Sequence, residues 1–280
     1  MSDNLIAFQG VPGSYADLAC RSVYPAMDTL SCPSFEDCFV AVREGRAKYA
    51  MIPVENSIAG RVADIHHLLP EGNLFIIGEH FQRVLHHLLA LPGATKDDIK
   101  TVKSHIQAIT QCRKYIGRHG FKAVSTSDTA GGSKEVALLG DKSVAGIASS
   151  LAGEIYGLKS LEADIADMPD NTTRFLILSR EQQLPRPGSF CITSLLFKVR
   201  SVPAALYKAL GGFATCGVNL TKIESYLVGG HFDAAQFYVD VEGHPEDRPL
   251  QLALEELNFF ASEVRILGTY PGHLFRKQQD

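Results

Sequence analysis

A polar cluster stands immediately before an apolar run about two-thirds of the way along the chain. Residues 170–174, with the sequence DNTTR, lead into residues 175–178, which have the composition of a buried strand. Arg174 at the mouth of that strand would present a rigid fork of donors that matches a carboxylate, and Thr172 and Thr173 add hydroxyl groups beside it. This combination predicts a binding or active site for a small acid.

The elements that could position this cluster alternate between strand-like and helical patterns in the first part of the chain. A pattern of this kind is typical of an α/β fold with a mainly parallel sheet. The predicted strands cover residues 5–8, 49–54, 101–103, 123–125 and 143–147, and an amphipathic segment follows each of them.

Polar side chains follow several of these strands, namely Ser14, Glu55, Asn56, Ser57, Ser104, His105 and Ser149. Because the carboxyl ends of parallel strands share one edge of a sheet, helix starts gathered there would form an anion site. The plainer reading is that the serines only cap helices, each contributing about 1 kcal/mol. Glu55 is either solvated or, if enclosed, a group of raised proton affinity. Arg174 also allows a surface pair with Asp167 or Asp170, which would contribute little.

Length, charge and cysteine usage exclude several classes of function. A chain of 280 residues favours two domains, and a net charge of −4 without a basic stripe argues against nucleic acid as a partner. No apolar run approaches membrane-spanning length and the start of the chain lacks a signal-peptide pattern, which predicts a cytoplasmic protein that binds no membrane. The six cysteines are scattered without a C-x-x-C pair, so neither a zinc site nor a disulfide framework is expected.

Two further patterns are weak signals for a cofactor. The pairs His66–His67 and His86–His87 suggest a metal site, but adjacent residues point to opposite sides of a strand or helix, and no third ligand keeps register. The turn at residues 10–13, GVPG, matches neither G-x-G-x-x-G nor a Walker loop. The sequence therefore predicts no metal and no nucleotide cofactor.

A segment without periodicity, residues 181–189, predicts a linker to a second module. After it the order is strand, helix, strand, strand, helix, strand, which is typical of a ferredoxin-like βαββαβ module. These elements cover residues 192–199, 203–215, 219–227, 231–241, 245–260 and 263–270. The exposed sheet edge of such a module and the apolar turn at residues 228–230 favour oligomerisation.

Four motifs in the first part of the chain resemble, in the same order, those of the prephenate dehydratase family. They are GVPGSYA at residues 10–16, VENSIAG at 54–60, SHIQAITQC at 104–112 and NTTRF at 171–175. Residues 202–225 resemble the ACT regulatory domain of that family. Because no segment resembling chorismate mutase precedes Leu5, the chain resembles the monofunctional form.

The resemblance implies a bilobed catalytic domain with a type II periplasmic-binding-protein fold over residues 1–182, with lobes at 1–78 plus 168–182 and at 79–167. It also implies a ferredoxin-like ACT domain over residues 190–275. The implied reaction is the decarboxylating dehydration of prephenate to phenylpyruvate in L-phenylalanine biosynthesis, which needs no cofactor. L-Phenylalanine is the implied effector, bound by the ACT domain of a homodimer or homotetramer.

The same resemblance implies roles for individual residues. Thr173 would donate to the departing hydroxyl, with Glu55 or a water molecule as the acid. Arg174 would either bind a carboxylate or pair with Glu55. The other implied substrate-binding residues are Ser14, Asn56, Ser57, Ser104, His105, Gln107, Thr172 and Phe175. The implied effector-binding residues are Pro203, Ala204, Ala205, Leu206, Asn219, Leu220, Thr221, Glu224 and Ser225.

The chain departs from the family pattern at four positions, one of which is Ala204, in place of the glycine of a Gly-Ala-Leu stretch in the ACT module. Ile106 stands where the Ser-His-Pro-Gln run has proline, which should loosen the start of the following helix without removing a donor. Tyr226 and Leu227 stand where the ACT module has Arg-Pro. We therefore expect binding of L-phenylalanine to be retained but altered.

Other functions stay open at this point. Arogenate dehydratase is the close variant. Its substrate differs from prephenate by an amino group, and the sequence does not reveal which of the two substrates is recognised. A small-carboxylate binding protein would use the same bilobed fold without catalysis, but it would not need Thr173 and Arg174 after Asn171. An amino-acid-sensing regulator would rest on the ACT module alone, and the sequence has no recognisable DNA-reading helix pair.

Overall fold

The computed structural model describes residues 4–63, 65–199, 202–228 and 231–278. The chain forms two compact units, one of Met1–Val62 with His80–Phe175 and the other of Ala63–Glu79 with Leu176–Asp280. The α/β class predicted from the sequence is confirmed, since helices and strands alternate over most of the described residues. Residues 181–190 contain no helix or strand.

Two sheets contain the strands of the first unit, and the boundary between the units falls within β5 and β11. The strands are Leu5–Gln9 (β1), Asp28–Cys32 (β2), Tyr49–Asn56 (β3), Gly60–Arg61 (β4), Phe75–Arg83 (β5), His87–Ala90 (β6), Thr101–His105 (β7), Lys122–Thr126 (β8), Val144–Ala148 (β9), Lys159–Glu162 (β10) and Thr172–Ser179 (β11). The first sheet has the order β2-β1-β3-β11-β5, with β4 paired to β3. The second has the order β10-β6-β9-β7-β8.

The second sheet is less parallel than the sequence predicts. β7 pairs in parallel with β8 and β9, but β6 pairs antiparallel with both β9 and β10. The difference arises because residues 75–90, where the sequence predicts no strand, contain the two strands β5 and β6. An apolar stretch that returns along a sheet is not distinguished by its periodicity from one that crosses it.

Helices alternate along the chain with these strands. They are Tyr15–Val23 (α1), Phe35–Arg43 (α2), Ile65–Glu71 (α3, in the second unit), Ile106–Gln111 (α4), Arg113–His119 (α5), Thr129–Leu139 (α6) and Ser150–Tyr156 (α7). Ser14, Ser34, Asp128 and Ser149 each accept a backbone N–H of the first turn of α1, α2, α6 and α7. Each such cap contributes about 1 kcal/mol, which matters for helices of only two or three turns.

The second sheet has a core on each of its faces. Leu88 and Leu89 are neighbours in β6, yet Leu88 packs with Val102 and Ile116 whereas Leu89 packs with Val136 and the α7 side. Successive side chains of a strand point to opposite faces, so the two leucines bury themselves in different clusters. Burial of such a side chain contributes about 1.5–3 kcal/mol.

Besides α3, the described part of the second unit contains a four-stranded antiparallel sheet and the helices that pack on it. Its elements are Cys191–Val199 (β12), Ala205–Thr215 (α8), Leu220–Val228 (β13), His231–Glu242 (β14), Arg248–Phe260 (α9) and Ala261–Pro271 (β15). The predicted order of strands and helices is confirmed, and the strands lie in the order β13-β14-β12-β15. Gly229 and Gly230, of the turn predicted at residues 228–230, lie outside the described residues.

Buried contacts hold the second unit together. Leu195, Phe213, Val239 and Leu257 belong to one cluster between the sheet and its helices. The buried Glu79 accepts hydrogen bonds from Nε and Nη2 of Arg276 at 2.7 and 2.8 Å, within the 3-10 segment Leu274–Gln278. A buried carboxylate needs such a bidentate partner because desolvation of an unpaired charge is costly.

In the part of the chain that the structure describes, no helix combines the length and the apolar composition needed to span a membrane.

The turn after β1 packs closely on the start of α7 within the first unit. Ser149 Oγ donates to the carbonyl oxygen of Gly13 at 2.6 Å, and the hydroxyl of Tyr156 donates to that of Pro12 at 2.7 Å. Gly13 has φ +88°, and a Cβ atom there would lie 2.8 Å from Cα of Ala152. Both the backbone conformation and the close approach therefore require glycine at this position.

We expect Gly13→Ala to lower the melting temperature more than Gly120→Ala. Gly120 has φ +67° with open space around it, so its substitution measures only the backbone cost of about 1–2 kcal/mol. Gly13→Ala adds the displacement of Ala152 to that cost. Differential scanning calorimetry of both variants tests this, and equal losses of melting temperature would show that the turn does not pack as described.

Candidate functional site

A cavity of about 370 Å³ lies within the first unit. Six residues predicted for the site line it: Ser14, Asn56, His105, Gln107, Thr173 and Phe175. They come from the turn before α1, the end of β3, the start of α4 and the start of β11. The structure therefore brings together residues that are up to 161 positions apart in the chain, from Ser14 to Phe175.

Ser104 and Ser57 occupy positions different from those predicted. Strand β7 continues through His105, so Ser104 is buried within it and donates to the carbonyl oxygen of Ile147 at 2.6 Å. His105, rather than Ser104, caps α4, because its Nδ1 accepts the backbone N–H of Gln107. The prediction that Ser104 caps a helix at the sheet edge is wrong, because the strand is longer than its apolar core.

Ser57 likewise caps no helix. Strand β3 turns back after Asn56 into the short β4, and Ser57 lies in that turn. Its Oγ donates to the carbonyl oxygen of Asp170 and accepts the backbone N–H of Thr172, each at 3.0 Å. Ser57 therefore fastens the turn to the start of β11 and lies outside the described cavity wall, as do Thr172 and Ser104.

Glu55 and Arg174 form an ion pair beside the cavity. Nη1 of Arg174 lies 2.9 Å from Oε1 of Glu55, and the Arg174 side chain is 3% exposed whereas that of Glu55 is 34% exposed. Neither residue is part of the cavity wall among the described residues. Of the two roles left open for Arg174, the structure contains the pairing with Glu55. The alternative partner Asp167 instead accepts the backbone N–H of Lys114.

Asn56 is the centre of a hydrogen-bond network at the cavity. Its Oδ1 accepts the backbone N–H groups of Ile58 and Ala59 at 3.0 and 2.8 Å. Its Nδ2 donates to Oδ1 of Asn171 at 2.7 Å and to Oγ1 of Thr173 at 3.0 Å. Because a backbone N–H can only donate, these two contacts fix which end of the Asn56 amide is the acceptor.

This fixed orientation passes to the next residues of the network. Since Asn56 donates to Oδ1 of Asn171, the Nδ2 group of Asn171 is the one that faces Gln111, and it donates to Oε1 there at 2.8 Å. Reversing either amide would set two donors or two acceptors against each other. The oxygen of Gln111 is thus occupied inside the network, which leaves its amide hydrogens for the cavity that it lines.

The same network orients the hydroxyl of Thr173. Because Oγ1 accepts from Asn56, the hydroxyl hydrogen has no acceptor among the described residues and is available as a donor on the cavity wall. A hydroxyl that accepts a hydrogen bond is also a better donor, since bonds in a chain polarise one another. The wall therefore presents two oriented donors, one from Thr173 and one from Gln111.

The charged groups of the wall suit an anion. Arg61 contributes a guanidinium, and the described wall contains no Asp or Glu. Among the described residues, no group of three or more His, Cys, Asp and Glu side chains is arranged to hold a metal ion. What the arrangement can do chemically is to bind an acidic molecule and donate hydrogen bonds to it at fixed points.

The polar residues of the wall that were not predicted include Tyr15, Arg61, His86, Gln111 and Asn171. Tyr15, Gln111 and Asn171 lie inside the motifs GVPGSYA, SHIQAITQC and NTTRF. The motifs therefore indicated the right segments of the chain but not these individual residues. His86 was predicted only as half of a histidine pair. Adjacent side chains do point apart there, since His86 contacts Gln111 whereas His87 contacts Ser160.

Comparison with known proteins identifies the family of this chain. A family model described as prephenate dehydratase matches residues 6–183. A bifunctional N-acyl-homoserine lactone acylase/prephenate dehydratase of Komagataeibacter europaeus is 51% identical over 277 residues, covering 99% of each chain. Arogenate dehydratase/prephenate dehydratase 1 of Arabidopsis thaliana is 40% identical over 286 residues, covering 97% of this chain and 73% of the plant protein.

A solved structure gives the same result at the level of the fold. Prephenate dehydratase of Arthrobacter aurescens, crystallised with L-Phe, superposes with a TM-score of 0.87 at 32% identity, covering 96% of this chain and 90% of that one. The motifs at the cavity, the family model and the relatives that match nearly the whole of this chain all indicate the same family. The chain belongs to the prephenate dehydratase family, whose members are lyases that act on prephenate.

Proposed function

We propose that this chain catalyses the decarboxylating dehydration of prephenate to phenylpyruvate in L-phenylalanine biosynthesis. The observation that carries the proposal is the Thr173 hydroxyl, which Asn56 holds as a hydrogen-bond donor on the wall of an acid-binding cavity. Binding would place the ring hydroxyl of prephenate at that donor. Gln111, Arg61 and the capped start of α1 at Ser14 would contact the two carboxylates.

The reaction needs one proton and no redox partner. The bond between the ring and its carboxylate breaks, its electron pair enters the ring to complete the aromatic system, and the hydroxyl leaves with one added proton as water. Carbon dioxide is the other product. Orientation and placed donors supply the rate enhancement, since aromatisation provides the driving force.

The ion pair of Glu55 favours water as the source of that proton. Glu55 accepts from Arg174 and lies outside the described wall of the cavity, which supports a role other than proton donor. Water that protonates the leaving oxygen through the Thr173 hydroxyl fits the arrangement better. Glu55 and Arg174 would then hold β3 beside β11, while Thr172 and Phe175 would keep the Thr173 segment in register.

We propose that the chain consists of two domains. Residues 1–182 would form the bilobed catalytic domain of periplasmic-binding-protein type, with lobes at 1–78 plus 168–182 and at 79–167, and closure of the lobes would complete the site. Residues 190–275 would form the ACT domain. The βαββαβ order and the strand order β13-β14-β12-β15 support the second assignment.

L-Phenylalanine is the proposed effector of that domain, in a homodimer or homotetramer. Pro203, Ala204, Ala205 and Leu206 line a cavity of about 480 Å³, and Ala204 has φ +60°, which bends the backbone at the start of α8. The remaining predicted effector residues are Asn219, Leu220, Thr221, Glu224 and Ser225, on or beside β13. Nζ of Lys222 lies 3.2 Å from Oε1 of Glu224.

A second function is favoured by one observation. The relative from Komagataeibacter europaeus, 51% identical over nearly the whole chain, is named for an N-acyl-homoserine lactone acylase activity besides prephenate dehydratase. On the described wall of the cavity, no serine or cysteine side chain lies within hydrogen-bond distance of a histidine, and the contact between Ser160 Oγ and His87 Nδ1 at 3.0 Å lies outside that wall. Similarity to that relative alone therefore supports hydrolysis of an N-acyl-homoserine lactone as the second candidate function.

Purified protein should convert prephenate to phenylpyruvate with a kcat/KM above that for conversion of arogenate to phenylalanine. The two products are separated by chromatography, and an N-acyl-homoserine lactone in a third reaction reports the second candidate through release of the fatty acid. Turnover of arogenate alone would assign the close variant. No turnover of either ring acid would contradict the proposed function.

Thr173→Ala should lower kcat on prephenate by about 10²- to 10³-fold with little change in melting temperature, because one donor to the departing hydroxyl is removed. Thr173→Ser keeps the hydroxyl and is the matched control, which should retain most of the activity. Near-wild-type turnover by Thr173→Ala would remove Thr173 from the mechanism.

Millimolar L-phenylalanine should release or absorb heat on titration into the protein and should raise its melting temperature, since a ligand that binds only the folded state stabilises it. D-Phenylalanine is the control and should do neither. Titration without heat or stabilisation would leave the second unit a structural role in pairing chains.

A further inference from the structure

His86 is a titratable side chain on the cavity wall for which the proposed reaction has no role. It is 2% exposed and lies in the short segment between β5 and β6. Its Nε2 lies 2.8 Å from Oε1 of Gln111, and its Nδ1 lies 2.9 Å from the hydroxyl of Tyr15. Both ring nitrogens are therefore committed inside the protein.

The amide chain decides which nitrogen carries the proton. Oε1 of Gln111 is an acceptor, because Asn171 donates to it and because the orientation of Asn171 follows from Asn56 and the backbone amides of Ile58 and Ala59. An acceptor at 2.8 Å requires a hydrogen on Nε2 of His86. Neutral His86 then has a bare Nδ1, which faces the Tyr15 hydroxyl at 2.9 Å.

Burial keeps His86 neutral. Its pKa is lowered by removal of the ring from water, and the neighbouring His87 lowers it further, whereas the bond to Gln111 and the charge of Asp164 oppose the shift. Burial also raises the pKa of Tyr15 well above its ordinary value, so its hydroxyl keeps its hydrogen. The Tyr15 hydroxyl donates that single hydrogen to the carbonyl oxygen of Leu85 at 2.7 Å, and Nδ1 of His86, at 2.9 Å, is a second acceptor that shares it.

We propose that His86 is a positioning residue that keeps Gln111 turned so that its amide hydrogens, and not its oxygen, face the dianionic substrate. The inference rests on the proposed function for the identity of that substrate. With a hydrogen on Nε2, Oε1 of Gln111 receives two hydrogen bonds from inside the protein, one from His86 and one from Asn171. With the hydrogen on Nδ1 instead, Nε2 would repel Oε1, and a reversed Gln111 would present its oxygen to a carboxylate.

Two substitutions separate this role from simple filling of space. The amide nitrogen of a glutamine reaches roughly the position of histidine Nε2, whereas that of an asparagine reaches roughly the position of Nδ1. His86→Gln should therefore keep KM for prephenate within about 3-fold of wild type, and His86→Asn should raise it about 10- to 100-fold, with a smaller change in kcat. Equal effects of the two substitutions, with both variants folded by circular dichroism, would overturn the proposal.

His87 supplies the matched control. It is the adjacent histidine, its Nδ1 contacts Ser160 at 3.0 Å, and it lies outside the described wall of the cavity. His87→Gln and His87→Asn should both leave KM unchanged. A rise in KM for His87→Asn equal to that for His86→Asn would show a general effect of the segment and would also overturn the proposal.

A measurement without substrate tests the tautomer directly. In a ¹⁵N spectrum of histidine-labelled protein at neutral pH, the His86 signal, identified by its loss in His86→Gln, should show a bonded hydrogen on Nε2 and none on Nδ1. A hydrogen on Nδ1 would overturn the inference whatever the activity. Failure of the wild-type protein to turn over prephenate, with the expected tautomer present, would contradict only the proposed function.

Discussion

The backbone N–H groups of Ile58 and Ala59 determine which side-chain groups of the candidate site donate hydrogen bonds and which accept them. They can only donate, so they fix the Asn56 oxygen as an acceptor and its amide nitrogen as a donor. From there, the orientation of every side chain as far as His86 follows without a free choice. Such a hydrogen-bond network favours binding of an anion, because the donors of the site are held in place before the ligand arrives.

The fold supplies this constraint through a short hairpin. β3 turns back into β4 after Asn56, which directs the N–H groups of the turn toward the side chain that precedes it. Ser57, in the same turn, contacts the backbone at Asp170 and Thr172. The turn is thereby fixed against the start of β11, where Thr173 lies. Two segments more than 100 residues apart thus meet with their polar groups already paired.

Most of the fold and part of the candidate site could be predicted from the sequence. The strands predicted at residues 49–54 and 143–147 lie within one or two residues of the observed Tyr49–Asn56 and Val144–Ala148, because short apolar runs bounded by polar residues have few alternatives. Ser104 was assigned wrongly, because one further residue of strand moves a serine from a helix cap into a core. His86 escaped prediction because its role depends on Gln111 and Tyr15, which reach it only through the tertiary fold.

Neutron diffraction from a deuterated crystal of the protein would test the central claim most directly, since it locates hydrogen positions. The account predicts deuterium on Asn56 Nδ2 directed at Thr173, on Gln111 Nε2 directed at the cavity, and on Thr173 Oγ1 directed away from Asn56. A Thr173 deuterium directed at Asn56, with the Asn56 oxygen facing it, would contradict the account.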